Sequence, residues 1–166
     1  PFANHPGIRL LDENGDLKPE VLEILDLIKE YDATIATGHI SIGESIAVCN
    51  AARERGVRTV LTHPDWTCTT VPADVQTQLV KKGVILEKLW FDIGINHVTA
   101  EYMAQTIRDA GVENCFMATD RGQSGKEYPV EGLMMFMDAM LDCGFSVEEI
   151  HIMTHENPER VLGLRP

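Results

Sequence analysis

Residues Thr34–Glu44 read TIATGHISIGE, and their reading decides the fold. Thr34, Ile35, Ala36 and Thr37 are small or β-branched and suit a buried strand. Gly38 permits a sharp turn, so His39 stands at the strand's C-terminal exit. Ser41 with Glu44 three residues later has the form of a capping box, and Ile46, Ala47, Val48, Ala51 and Ala52 carry the helix onward. The unit is strand, polar turn, helix.

Working outward, the same unit recurs. Before it, Pro19 opens a helix whose apolar face is Val21, Leu22, Ile24, Leu25 and Ile28, ending near Tyr31. The helix after Ser41 closes at Arg53–Gly56, and Val57–Thr62 reads as a second strand that exits at His63–Pro64. Pro72 starts the next helix, which stops at Lys81–Gly83. Val84–Phe91 is a third apolar run, interrupted by Glu87 and Lys88, and a helix follows from Thr99 to Ala110. Asn114–Thr119 is a fourth strand, exiting at Asp120. Val130–Cys143 is a methionine-rich helix whose stripe reads as adaptable core. Ser146 with Glu149 caps a further helix to about His155, and Asn157–Pro158 begins a last turn.

The expected fold class is therefore α/β, with four consecutive βα units, extra C-terminal helices and a parallel sheet covered by helices. A repeat of roughly 25 to 35 residues is that of a βα barrel or a doubly wound sheet. Residues 1–18, with two prolines, two glycines and the turn DENGD, form an irregular lead-in, and 19–166 hold the βα units.

Composition narrows the function. The 166 residues are 44% hydrophobic, enough for one core, and carry a net charge of −12 with only 14 Lys and Arg, which argues against nucleic acid and anionic membrane as partners. No apolar run approaches the roughly 20 residues of a membrane span. The cysteines Cys49, Cys68, Cys115 and Cys143 have no zinc-ribbon spacing, and reduced thiols in a cytoplasmic protein are the expectation.

In parallel α/β folds, functional loops gather at the strands' C-terminal edge, where His39, His63 and Asp120 all fall. Two imidazoles and a carboxylate suit a divalent transition metal, zinc first, with manganese, iron or nickel as alternatives. Glu87 either points into this polar centre or faces water. Glu44 caps its helix or orients His39; Arg121 and Gln123 contact an anionic or carbonyl substrate or are hydrated. His97 and His5 are weaker candidates on loops.

TGH at Thr37–His39, THP at Thr62–Pro64, ATD at Ala118–Asp120 and ENPERVLGL at Glu156–Leu164 together resemble the second half of an amidohydrolase-superfamily metal-dependent hydrolase, a (βα)8 barrel. The lead-in at Gly7–Gly15 is similar to that of a poorly characterised amidohydrolase-like branch. The resemblance implies that His39 and His63 are the fifth- and sixth-strand metal ligands, and that Asp120 is the eighth-strand aspartate that takes a proton from the hydrolytic water. It implies a small-molecule amide, ester or lactone as substrate, with Ser124–Tyr128 in a substrate loop, and a structural role for Asn157 and Pro158.

The family's first-strand HxH pair has no counterpart here. The chain then corresponds to half a barrel, completed by an N-terminal half or by a second copy of itself. Decarboxylation or phosphoester hydrolysis fits the same residues, and a non-catalytic half-barrel that binds a partner is the reading from another class.

Overall fold

The computed structural model describes residues 7–67, 69–94 and 98–164. His5, Cys68 and His97 lie outside the described residues.

The chain alternates helix and strand: α1 (Pro19–Glu30), β1 (Thr34–Ala36), α2 (Ile42–Glu54), β2 (Arg58–Leu61), α3 (Ala73–Lys81), β3 (Ile85–Leu89), α4 (Ala100–Ala110), β4 (Cys115–Ala118) and α5 (Pro129–Asp142). Two short helices follow, α6 (Val147–His151) and α7 (Asn157–Val161), joined by a π-helical turn over Ile152–Glu156. The strands form one sheet in the order β1-β2-β3-β4, every pair parallel, so all four exits lie along one edge. The expected α/β class with four βα units and C-terminal helices is what the chain forms.

Local chemistry sets the element ends. Ser41 Oγ accepts from Glu44 N–H (3.3 Å) while the Glu44 carboxylate accepts from Ser41 N–H (3.2 Å), which satisfies two donors that α2 leaves free. Ser146 and Glu149 do the same for α6. β3 is shorter than the apolar run suggests, because Trp90–Asp92 coil into a 3-10 turn whose Phe91 N–H donates to Thr119 O (3.2 Å). The helix expected to reach His155 stops at His151, where the π-helical turn takes over; Pro158 has no N–H for the Thr154 carbonyl, so a regular ladder cannot continue.

One core lies between sheet and helices: Leu61, Leu86, Cys115 and Met117 from the strands pack with Leu79, Met103, Ile107, Phe136, Met140 and Met153. The methionine stripe of α5 is thus core at Met140, while Met134 and Met135 are exposed. A smaller cluster of Leu25, Ala51, Ala52 and Val57 seats α1 against α2 and Ile35. Burying each Leu fully contributes roughly 1.5–3 kcal/mol. Strand residues alternate between faces, so with Leu86 and Lys88 turned to the helices, Glu87 and Leu89 look the other way.

At the opposite end of the sheet, Asn157 Nδ2 donates to Val112 O (2.7 Å) and Cys115 O (2.6 Å), and Thr34 Oγ1 donates to Val161 O. Asn157 is therefore structural, tying α7 beneath β4 and β1. The described cysteines Cys49, Cys115 and Cys143 are free thiols. Among the described residues no helix is long and apolar enough to cross a membrane.

Candidate functional site

The exits of β1 and β2 are laced together. Gly38 N–H donates to Thr62 Oγ1 (3.1 Å) and Thr62 N–H to Thr37 Oγ1 (3.0 Å), which brings His39 beside His63 with ring centroids 4.5 Å apart. The backbone turns left-handed at Gly38 (φ 61), His63 (φ 33) and Asp120 (φ 48). Glycine does this freely, but a histidine or aspartate there costs about 1–3 kcal/mol, a strain that recurs at functional sites. The other non-glycine residue of this kind among the described residues, Asp32 (φ 49), sits at the far end of the sheet, where Arg58 bonds to it.

His39, His63, Glu87 and Asp120 line one cavity of about 490 Å³, together with Gly38, Thr62 and Leu89. Three strand exits and the middle of β3 thus supply two imidazoles and two carboxylates. Glu87 belongs to the polar centre, the first of its two sequence readings. Burial raises its pKa and the Asp120 charge adds to this, while a hydrogen bond from the His63 backbone opposes it.

His63 is 4% exposed. The Thr69 hydroxyl has one proton and two neighbours, His63 O at 3.0 Å and His63 Nδ1 at 2.8 Å. Donated to the carbonyl, that proton leaves the hydroxyl to accept from Nδ1–H, and Nε2 then carries a lone pair; turned to Nδ1, it puts the ring proton on Nε2. Nε2 is buried, with no hydrogen-bond partner among the described residues. Burial holds the His63 pKa below the usual value, and neighbouring His39 adds to this against the opposing pull of Asp120, which keeps the ring neutral.

His39 is exposed, and Trp66 stacks on it at 5.0 Å and 28° while meeting His63 edge-on at 5.3 Å. Trp66 had no signal in the sequence, since an aromatic residue on an irregular loop carries no periodicity.

Behind the sheet lies a buried polar network. Lys88, 0% exposed, places Nζ 2.7 Å from Asp65 Oδ2, 2.9 Å from Gln76 Oε1 and 3.0 Å from Thr106 Oγ1. Asp92 lies close by, 1% exposed, with neither carboxylate oxygen hydrogen-bonded. Burial pushes its pKa up to about 7; Asp65 adds to the rise, Lys88 opposes it, and Asp120 and Glu87 add further.

Three candidates lie elsewhere. Glu44 accepts from Leu10 N–H (2.7 Å) and Ser41 Oγ (2.7 Å), so it caps α2 and tethers the lead-in. Although burial pushes its pKa up, the bonds from Ser41 and Leu10 bring it below the usual value. Arg121 turns from the cavity to Glu127 (2.6 Å), which also accepts from Trp90 Nε1 (2.5 Å); these bonds, Arg121 foremost, hold the Glu127 pKa at about 2. Gly132 makes room for this cluster, because a Cβ there would stand 3.2 Å from both Trp90 Cδ1 and Arg121 Cγ. Gln123 Nε2 donates to Asp120 O (2.7 Å) and closes the turn after β4.

The donors fit a divalent metal in kind: two imidazoles, one with Nε2 buried and unpartnered and Nδ1 in contact with Thr69, beside two carboxylates. Their side chains line the cavity without closing on one point, and among the described residues no three His, Cys, Asp or Glu converge tightly enough to hold an ion.

No curated protein and no solved structure matches the chain. A family model does, over residues 2–87, a span that holds His39, His63, Asp65 and Glu87 and stops short of Lys88 and Asp120. That span is just over half of the sequence, and the chain belongs to the family it describes, a family of unknown function (DUF6282).

Proposed function

We propose that this chain carries the ligand-bearing half of a metal-dependent hydrolase site on a (βα)8-type barrel, acting on a small amide, ester or lactone. The observation that carries the reading is the buried, unpartnered Nε2 of His63, which shares one cavity with His39, Glu87 and Asp120. A neutral imidazole whose Nδ1–H is anchored is in the state that a metal requires of a histidine.

In this reading His39 and His63 hold the ion, zinc by preference, with one of the two carboxylates. When bound, such an ion lowers the pKa of a water molecule toward neutrality and polarises a carbonyl. The chain's own residues do the rest. Asp120, held at its turn by Gln123, accepts the proton released by the water. Glu87, whose pKa is raised by burial and by Asp120, holds a proton for the leaving group. Trp66 walls one side of His39 and limits its rotation.

Half a barrel leaves the inner face of the sheet and the β1 and β4 edges to be covered by an N-terminal half or by a second copy. Ala36, exposed at the last position of β1, favours this.

The test is equilibrium dialysis against zinc with elemental analysis, followed by a screen of simple esters, amides and lactones. About one zinc per chain is expected, falling at least tenfold in affinity in His63→Ala and in His39→Ala. Zinc content unaffected by both substitutions would sink the reading.

A further inference from the structure

We infer that the buried Lys88–Asp65–Gln76 cluster is a positioning device for His63: it clamps both ends of the loop that sets the histidine's tautomer. The inference rests on the proposed metal-binding reading of His63.

The loop after β2 runs from His63 to Val71. Near its start, Asp65 uses both carboxylate oxygens, one toward Lys88 Nζ (2.7 Å) and one toward Gln76 Nε2 (3.1 Å). At its end, the Val71 carbonyl accepts from the same Gln76 Nε2 (2.8 Å), and Val71 N–H donates to Pro64 O (2.8 Å). Lys88 fixes which way the Gln76 amide faces, because an ammonium can only donate and Oε1 is the oxygen it meets at 2.9 Å. The NH2 end is then forced toward Asp65 and Val71. A single lysine on β3 thereby orients both clamps.

Between the clamps, Trp66 N–H donates to His63 O (3.2 Å) and Thr69 N–H to Trp66 O (2.9 Å). This short ladder delivers the Thr69 hydroxyl to His63 O and Nδ1. Opening either clamp frees Thr69 to drift, and with it the proton on Nδ1 and the lone pair on Nε2.

A buried ion pair adds little to stability compared with apolar groups of similar size, so stability alone does not explain a lysine at this position. Asp65, Gln76 and Lys88 do not line the cavity that holds His39 and Asp120. They act on it through the loop.

The experiment compares the wild type with the charge-free pair Asp65→Ala/Lys88→Met and with Gln76→Met, which leaves the ion pair intact. Folding is checked by circular dichroism. The readouts are the imidazole 15N spectrum of the metal-free protein, which identifies the His63 tautomer, and the zinc Kd. Wild type is expected to show His63 only as the Nδ1–H form. The folded variants are expected to show a mixture of tautomers and a Kd weakened about 10- to 100-fold. Folded variants with the wild-type His63 spectrum and Kd overturn the inference, and Gln76→Met decides alone if the double variant does not fold. A wild type that binds no zinc, yet has a locked tautomer that these variants release, refutes the metal reading and leaves the positioning role standing.

Discussion

Asp92 illustrates how much one side chain can cost. Its carboxyl pKa, about 7 in the folded chain, lies above the 3.8 of an unperturbed aspartate. Between those values the folded state keeps a proton that the unfolded state releases, so stability falls as pH rises from about 4 to about 7 and is level above. At 1.36 kcal/mol per unit, the loss reaches about 4 kcal/mol at most. Asp92→Asn should therefore gain more stability at pH 8 than at pH 5 in urea denaturation. An equal effect at both would show that Asp92 does not titrate there. Thr69→Val tests the other residue-scale argument: without its acceptor, His63 Nδ1–H is unsatisfied and zinc affinity should drop about tenfold by calorimetry, while Thr70→Val, whose hydroxyl donates to Trp66 O, should change it little. Neither Asp92 nor Thr69 could be picked out from the sequence. What singles them out is the absence of a donor in one case and a hydroxyl shared between a carbonyl and a ring nitrogen in the other.

At the scale of elements, the strand exits and helix caps were legible because their chemistry is local. Gly38 before His39, and Ser41 with Glu44, are neighbours in the chain as they are in space. Ser41→Ala should cost about 1 kcal/mol in thermal or urea unfolding, since α2 loses its cap. Glu44→Ala should in addition release Leu10 and make the lead-in more sensitive to protease. β3 was harder to read. Glu87 and Lys88 stand out as charges in an apolar run, but which face each takes depends on partners 12 to 23 residues from Lys88, on α3, α4 and the β2 loop. The run Val84–Phe91 carries no regular alternation of apolar and polar residues to reveal this. Arg121 shows the converse: its place after Asp120 suggested a substrate contact, and Glu127 six residues on takes it instead.

For the whole molecule, parallel order and the gathering of His39, His63 and Asp120 at one edge followed from the βα rhythm alone. On the proposed half-barrel reading, the remaining face of the sheet is covered by association. Native mass spectrometry should find the chain paired, with a second copy or with another polypeptide, and its β1 and β4 edges should exchange amide hydrogens slowly only in the paired form. A stable monomer with protected edges would argue against barrel completion.

The bond between Thr34 and Val161 joins residues 127 positions apart. On the ribosome β1 emerges long before α7, and at roughly 5–20 residues per second it waits several seconds for the segment that ties down its starting end. During that interval β1 can pair with β2 and be held there by Arg58, but it lacks the tie to α7. Synthesis should therefore leave the first βα units susceptible to chaperones and proteases until Val161 has cleared the exit tunnel, and a nascent chain stalled before that point should be cut within the first units.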